Sequence, residues 1–303
     1  MKTFDKPVYA AAAAALSALL LTACGTGAAT DADRASTSIT AAPVADKPSA
    51  DGKGFYAPVN GLQLYYEVHG TGTPLVLVHG GLSDGESSFG ALLPELAKTR
   101  KVITVDLQAH GRTADIDRPL RFETLADDIA ALIGHKADVL GYSLGGGVAF
   151  QLTARTPDLV NKVIITSSPY RYDGWKPDTL AGMAAMNPDN MLETPMHALY
   201  AKVAPNPTAW SSLVTKTRTL LTEPYDWTPQ LAAVKAHVLL VTAEDDALHP
   251  AHAEEFITRL GGSKTDPTAT SRLAVVPGTT HYDIMYRADL LLPVITPFLG
   301  TSA

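Results

Sequence analysis

Gly141-Tyr142-Ser143-Leu144-Gly145 decides how the chain is read. Before it, Ala137-Asp138-Val139-Leu140 is a short apolar run that predicts a buried strand. After it, Leu144 to Arg155 mixes small and apolar residues in a pattern that predicts a helix. Strand, sharp turn and helix form the context in which G-x-S-x-G carries chemistry. A turn this tight forces the serine into a strained backbone, and side chains at the flanking glycines would collide. The hydroxyl is then presented beside a helix N-terminus, and the N–H of Leu144 is left to meet developing negative charge. The plain alternative is a Gly/Ser turn before a packed helix. The motif alone does not separate the two.

Working outward, the same rhythm recurs. Pro74-Leu75-Val76-Leu77-Val78 predicts a strand covered on both faces, and it ends at His79-Gly80-Gly81-Leu82. Val102 to Asp106 predicts another, followed by Gln108-Ala109-His110-Gly111-Arg112. Lys162 to Thr166, His237 to Thr242 and Leu273 to Val276 continue the series. Leu62 to Val68 alternates around Tyr65 and Tyr66 and predicts an edge strand of an opening hairpin. Helical spacing covers Phe89 to Lys98, Phe122 to Ile133, His252 to Leu260 and Tyr286 to Leu299, the last interrupted by Pro293. Strands alternating with helices predict an α/β fold with a mostly parallel, doubly wound sheet. Catalytic groups then belong on loops beyond the carboxyl ends of the strands.

Between Ser167 and about Thr228 the rhythm breaks. Pro169, Pro177, Pro188, Pro195, Pro205, Pro207 and Pro224 interrupt it, and all three tryptophans (Trp175, Trp210, Trp227) lie there. Such a stretch between core strands predicts an inserted helical cap, about residues 168–228. Its methionines and aromatics serve either the cap's own core or an adaptable apolar wall for a ligand. Tyr142, Trp175, Met183 and Met186 are the candidate pocket residues.

The 303 residues are 46% hydrophobic and 18% charged, which suits one large globular domain, and the net charge is −7. No basic stripe is present, so nucleic acid is not an expected partner. No Cys/His spacing suggests a metal site. At the N-terminus, Lys2 and Lys6 precede an apolar run from Val8 to Leu21, too short for a stable span and ending in Leu21-Thr22-Ala23-Cys24. This resembles the lipobox of bacterial lipoproteins, in which the cysteine is lipidated. The resemblance implies a signal peptide over residues 1–23, a lipid anchor on Cys24 and a place in the bacterial cell envelope. The alternative is an ordinary secretory signal with an incidental cysteine. Cys24 is the chain's single cysteine. Residues 24–54, rich in Ala, Thr, Ser, Asp and Pro, predict a flexible linker, with folding material from Phe55 onward.

A serine hydroxyl needs a base, and the base needs an orienting acid. Ser143, Asp246 and His281 follow predicted strands in that order. From Phe55 to the C-terminus the sequence resembles the α/β-hydrolase superfamily, in its small esterase, lactonase and cofactor-free haloperoxidase branch. Val78-His79-Gly80-Gly81 resembles the oxyanion loop, and Gly141-Tyr142-Ser143-Leu144-Gly145 the nucleophile elbow. Ala243-Glu244-Asp245-Asp246 with Pro250 resembles the acid loop, with Ala243 where the family usually has Gly. Pro277-Gly278-Thr279-Thr280-His281 resembles the histidine loop. The resemblance implies a serine esterase acting through an acyl-enzyme, with Ser143 as nucleophile, His281 as base and Asp246 as acid. The N–H groups of Gly81 and Leu144 would form the oxyanion hole. No metal or organic cofactor is implied, and the partner is a small ester. Asp245 is the rival acid; the spacing to Pro250 favours Asp246. After Lys162 to Thr166, where some relatives carry the acid, stand only Ser167, Ser168 and Pro169. His79 is expected to brace its loop, and Asp106, His110 and Arg112 to tie loops together. Lactonase, thioesterase, amidase and perhydrolase chemistry use the same three groups and stay open. So does a non-catalytic envelope binding protein on the same scaffold, although binding alone gives no reason to keep all three groups.

Overall fold

A computed structural model of the protein describes residues 47–50, 52–266 and 268–300. The leader, Cys24 and the linker up to residue 46 lie outside the described residues.

In chain order the strands and helices begin with β1 (Lys47–Pro48), β2 (Phe55–Val59), β3 (Leu62–His69) and β4 (Thr73–Val78). Two short helices follow, α1 (Gly85–Phe89) and α2 (Leu93–Leu96), then β5 (Arg100–Val105) and α3 (Phe122–Ile133). The centre is β6 (Ala137–Tyr142), α4 (Leu144–Arg155) and β7 (Val160–Thr166). Helices α5 (Pro177–Ala185), α6 (Pro195–Val203) and α7 (Trp210–Thr222) come next. The chain closes with β8 (His237–Asp245), α8 (Pro250–Arg259), β9 (Ser271–Thr280) and α9 (Ala288–Gly300).

One sheet runs in the order β1-β2-β3-β5-β4-β6-β7-β8-β9. The first three pairings are antiparallel and the remaining five parallel. Side-chain alternation along a strand sends neighbours to opposite faces. Val76 and Val78 accordingly join one core with Leu125, Ile129, Val148 and Phe256 of α3, α4 and α8. Leu75 and Leu77 join the other with Phe89, Leu96, Leu291 and Phe298 of α1, α2 and α9. Both faces of the parallel strands are therefore covered, which is why those strands read as unbroken apolar runs.

After β4 the chain moves to β5 on one side, then crosses to β6 on the other. The crevice outside the carboxyl ends of β4 and β6 lies at this reversal, where an open α/β sheet presents its site. His79-Gly80-Gly81 leaves β4 there, and Ser143 leaves β6.

Several expectations are corrected. The helix expected over Phe89 to Lys98 is split into α1 and α2. Asp84 starts α1 early, its carboxylate accepting from Ser87 N–H while the Ser87 hydroxyl accepts from Asp84 N–H, and Gly90 ends it. β3 is not an edge strand, because β2 and β1 extend the sheet beyond it. Lys47 and Pro48 pair with Tyr56 and Phe55, so the sheet begins inside the stretch read as linker. Among the described residues no strand of the sheet falls between Thr166 and His237, where α5, α6, α7 and short 3-10 turns stand. Pro177, Pro195 and Pro207 each lie in the first turn of a helix or 3-10 turn. Proline lacks a donor that the first turn does not need, so there it starts a helix rather than breaking one.

Candidate active site

Ser143 sits between β6 and α4 with φ 53° and ψ −117°, a left-handed region that non-glycine residues seldom enter. The flanking glycines make this possible. A Cβ on Gly145 would lie 2.1 Å from the carbonyl oxygen of Val78, and one on Gly141 would lie 2.1 Å from that of Gly145. The elbow thus packs backbone against backbone, and Ser143 N–H donates to Thr166 O at 2.9 Å.

The structure brings Ser143, His281 and Asp246 together. His281 follows β9, and its Nε2 lies 3.1 Å from Ser143 Oγ. Its Nδ1 lies 2.9 Å from Asp246 Oδ1. Because the carboxylate accepts, Nδ1–H donates to it, and the Nε2 lone pair is left to accept from the Ser143 hydroxyl. Both Asp246 and His281 are buried. Asp246 Oδ1 also accepts from Ala247 N–H at 2.7 Å, and Oδ2 accepts from Ala243 N–H at 2.8 Å and Ser167 Oγ at 2.6 Å. Burial alone would push the Asp246 carboxyl up, but bonds from His281, Ser167 and Ala243 hold it below its ordinary value. Asp245, the rival acid, is 82% exposed and pairs with Lys176 at 3.3 Å. Glu244 accepts from Gly278 N–H at 2.9 Å and so ties the acid loop to the histidine loop.

The loop after β4 runs beside the elbow. A Cβ on Gly80 would lie 3.5 Å from Ser143 Cβ, and one on Gly81 would lie 3.6 Å from Leu144 Cδ1. The same Cβ on Gly81 would also meet Thr217 Cγ2 at 3.3 Å and Leu221 Cδ1 at 3.8 Å, both from α7. His79 is fully buried, with Nδ1 2.7 Å from Gly80 O and Nε2 accepting from Leu107 N–H at 3.0 Å. Burial lowers its pKa, so it braces the loop as a neutral ring carrying its proton on Nδ1. His110 Nδ1 lies 2.9 Å from Gln108 O. Asp106 accepts from Gly85 N–H and Arg112 N–H, at 2.9 and 2.8 Å, and the Arg112 guanidinium reaches Glu86 at 3.1 Å. Asp106 and Arg112 thus tie the segment after β5 to α1, whereas the His110 bond stays within its own loop.

The four candidate pocket residues separate. Tyr142 is half-buried, and its hydroxyl donates to His281 O at 2.6 Å. It holds the histidine loop rather than standing free as a wall. Trp175 is buried with its ring 5.8 Å from the imidazole, edge to face, and its Nε1–H donates to Tyr225 OH at 3.1 Å. Met183 packs beside Trp175, Ala247 and Leu248. Met186 packs instead against the cluster of Tyr200, Trp210 and Leu213 in the cap. Two residues near the imidazole were not anticipated. Ser167 bonds Asp246, and the exposed Tyr282 stands 5.3 Å from His281, ring to ring. Tyr282 could have been noticed from its place beside His281; the position of Ser167 after β7 gave only a weak signal.

A strained serine at the carboxyl end of a central parallel strand, hydrogen-bonded to a histidine and through it to an aspartate, defines a class: α/β proteins with a hydrolase-type site. The model of the family described as alpha/beta hydrolase matches residues 75–293. The chain belongs to the alpha/beta hydrolase family. It is 44% identical over 92 residues to a pimeloyl-[acyl-carrier protein] methyl ester esterase of Neisseria meningitidis, a match covering 30% of this chain. That match spans about a third (35%) of the Neisseria protein. It is 28% identical over 179 residues to the enzyme of the same name from Aliivibrio salmonicida, covering 50% of this chain and 68% of that one. The enol-lactonase of Burkholderia xenovorans LB400 superimposes with a TM-score of 0.63 at 20% identity, over 81% of this chain and all (100%) of that one, which shows a shared fold. Hydrolase chemistry is the activity class that the family and these relatives support.

Proposed function

We propose that the chain is a serine hydrolase, a carboxylesterase cleaving small or medium acyl or aryl esters through an acyl-enzyme. The observation that carries this is the continuous hydrogen-bond line from Ser143 Oγ through His281 to Asp246, at 3.1 and 2.9 Å. Ser143 attacks the acyl carbonyl while His281 Nε2 takes its proton. Ionised Asp246 keeps the imidazole in the tautomer that can accept and stabilises the imidazolium that forms. The N–H groups of Gly81 and of Leu144, the latter at the first turn of α4, meet the oxyanion; one such donor is worth about 10²–10³ in rate. The imidazolium then protonates the leaving alcohol. In the second half His281 activates a water that releases the acid and returns the serine. Trp175 and Met183 give the imidazole side of the site an apolar cover.

Ring opening of a lactone would follow the same steps, and the fold shared with an enol-lactonase makes lactones the second substrate class to assay. Turnover of a short p-nitrophenyl ester by the wild type and by Ser143→Ala tests the claim. The variant is expected to lose at least about 10³-fold. Equal, negligible rates in both proteins would refute serine catalysis and leave a binding role. A panel of ester, lactone and thioester substrates then ranks the class.

We also propose that the protein is exported and anchored to a membrane of the bacterial envelope through acylated Cys24, the support being Leu21-Thr22-Ala23-Cys24 after a short apolar run. Buried acyl chains contribute about 0.8 kcal/mol per CH₂, so more than one chain gives firm anchoring. Mass spectrometry of the N-terminal peptide decides the point; an unmodified Cys24, or cleavage elsewhere, rejects the anchor.

A further inference from the structure

The segment leaving β7 touches both ends of the catalytic line. Thr166 O accepts from Ser143 N–H at 2.9 Å, and the next residue, Ser167, donates its hydroxyl to Asp246 Oδ2 at 2.6 Å. Ser167 N–H is held by Val241 O of β8 at 2.8 Å, and the residue is fully buried. Its φ is +54°, in the left-handed region, close to the 53° of Ser143. Glycine adopts such a backbone without penalty, whereas serine is strained there. What the serine supplies that a glycine would lack is the hydroxyl aimed at Asp246.

The carboxylate is fully coordinated. It has about four lone-pair sites, and four donors reach it: His281 and Ala247 at Oδ1, Ser167 and Ala243 at Oδ2. Two of the donors are backbone groups, and one is the imidazole itself. Ser167 is the remaining side chain, at a distance typical of an O–H···O⁻ bond to a charged acceptor. It acts in two ways. It stops the carboxylate rotating, so Oδ1 stays on His281. It also draws negative charge toward Oδ2, so the imidazolium beside Oδ1 is stabilised less than it would be by an unshared carboxylate.

We propose that Ser167 is a positioning residue of this site, fixing the orientation and the charge distribution of Asp246 and through it the basicity of His281. The inference rests on the serine-hydrolase reading above. Removing the hydroxyl makes the carboxylate more basic, so His281 should hold its proton to higher pH. Only neutral His281 can take the serine proton, so the acidic limb of activity should move up.

The test uses the full-length protein, a short p-nitrophenyl ester, and the variants Ser167→Ala, Ser167→Gly and Ser143→Ala. For Ser167→Ala and Ser167→Gly alike, kcat should fall about tenfold with KM within about twofold, and the acidic limb of kcat/KM should rise by about half a pH unit. Alanine keeps the backbone strain and glycine relaxes it, while both lack the hydroxyl, so a role through backbone strain predicts wild-type behaviour in Ser167→Ala and a change in Ser167→Gly alone. That result overturns the proposal. So does a loss of kcat in folded variants with an unmoved acidic limb, which marks a merely structural role, and so does full activity in both. Melting temperatures identify any variant that fails to fold, and either folded variant suffices to read the limb. If wild type and Ser143→Ala are equally inactive, the serine-hydrolase reading itself falls and this inference with it.

Discussion

Replacing Asp246 by Asn separates charge and tautomer from shape. Each carboxylate oxygen accepts two bonds: Oδ1 from His281 Nδ1 and Ala247 N–H, Oδ2 from Ala243 N–H and Ser167 Oγ. An amide must put its NH₂ at one of these places. With nitrogen at the Oδ2 place, Ala243 N–H loses its acceptor while Ser167 can turn round and accept. With nitrogen at the Oδ1 place, Ala247 N–H loses its acceptor, and His281 accepts at Nδ1 only by moving its proton to Nε2. Each orientation strands one buried N–H, so the two are close in energy, and each costs about 1–3 kcal/mol of stability. The second orientation has no lone pair at Nε2 for the Ser143 proton, and the first has lost the charge that stabilises the imidazolium. The expected loss in kcat is therefore about 10³–10⁴-fold, with KM little changed. Steady-state turnover of a p-nitrophenyl ester, with a melting curve for each protein, measures both effects. Asp245→Asn is the control: its carboxylate is 82% exposed and pairs only with Lys176 among the described residues, so it should keep wild-type rates. Activity of Asp246→Asn within tenfold of wild type, or a greater loss in Asp245→Asn, would refute the assignment of the acid.

Three further outcomes are expected. Burial lowers the pKa of His79, that of His110 to about 3 and that of His252 to about 4, against an ordinary 6.5. Below pH 6.5 the unfolded chain takes protons on these three histidines that the native one refuses, while Asp106, its pKa raised to about 7 by burial and by Asp84, offsets one of them by taking a proton in the native state. Stability should therefore fall as pH drops from about 6.5 toward 4. Urea midpoints that stay level from pH 7 to 5 would contradict this. Lys216 on α7 holds the loop after β5 through Asp115, Ile116 O and Arg118 O, at 2.8 to 2.9 Å; Lys216→Met should cost about 1–3 kcal/mol and open the cap to limited proteolysis, and an unchanged digestion pattern argues against a latch. Gly145→Ala would set a methyl 2.1 Å from Val78 O, so it should abolish cooperative thermal unfolding, whereas a wild-type melting curve would show that the elbow tolerates a side chain.

The parts of the fold legible in the sequence are those governed by local period. Leu75 to Val78 and Val163 to Ile165 are apolar without interruption because both faces are covered, and the unbroken pattern says so directly. What period does not carry is the identity of the neighbour. β3 alternates as an edge strand would, yet β2 and β1 pair beyond it, and that pairing depends on Lys47 and Pro48, in a stretch whose composition resembles a linker. The helix expected from Phe89 onward was displaced by Asp84, whose cap with Ser87 opens α1 at Gly85 outside the apolar pattern.

The same division explains the site. Parallel strands place their carboxyl ends on one rim, so a residue that follows a strand is near every other residue that does so. That is why Ser143, Asp246 and His281 could be named from chain order and strand ends, although they lie in distant segments. Ser167 also follows a strand, and sequence alone gave it no role, because the part proposed for it depends on a left-handed φ and a contact from the end of β7 to Asp246 at the end of β8. Tyr142 and Trp175 likewise act on His281 by tertiary contact, one through a hydroxyl on its carbonyl and one through a ring against its imidazole. Strand order therefore locates the three proposed catalytic groups, whereas the groups that hold them are identified only by contacts that no spacing encodes.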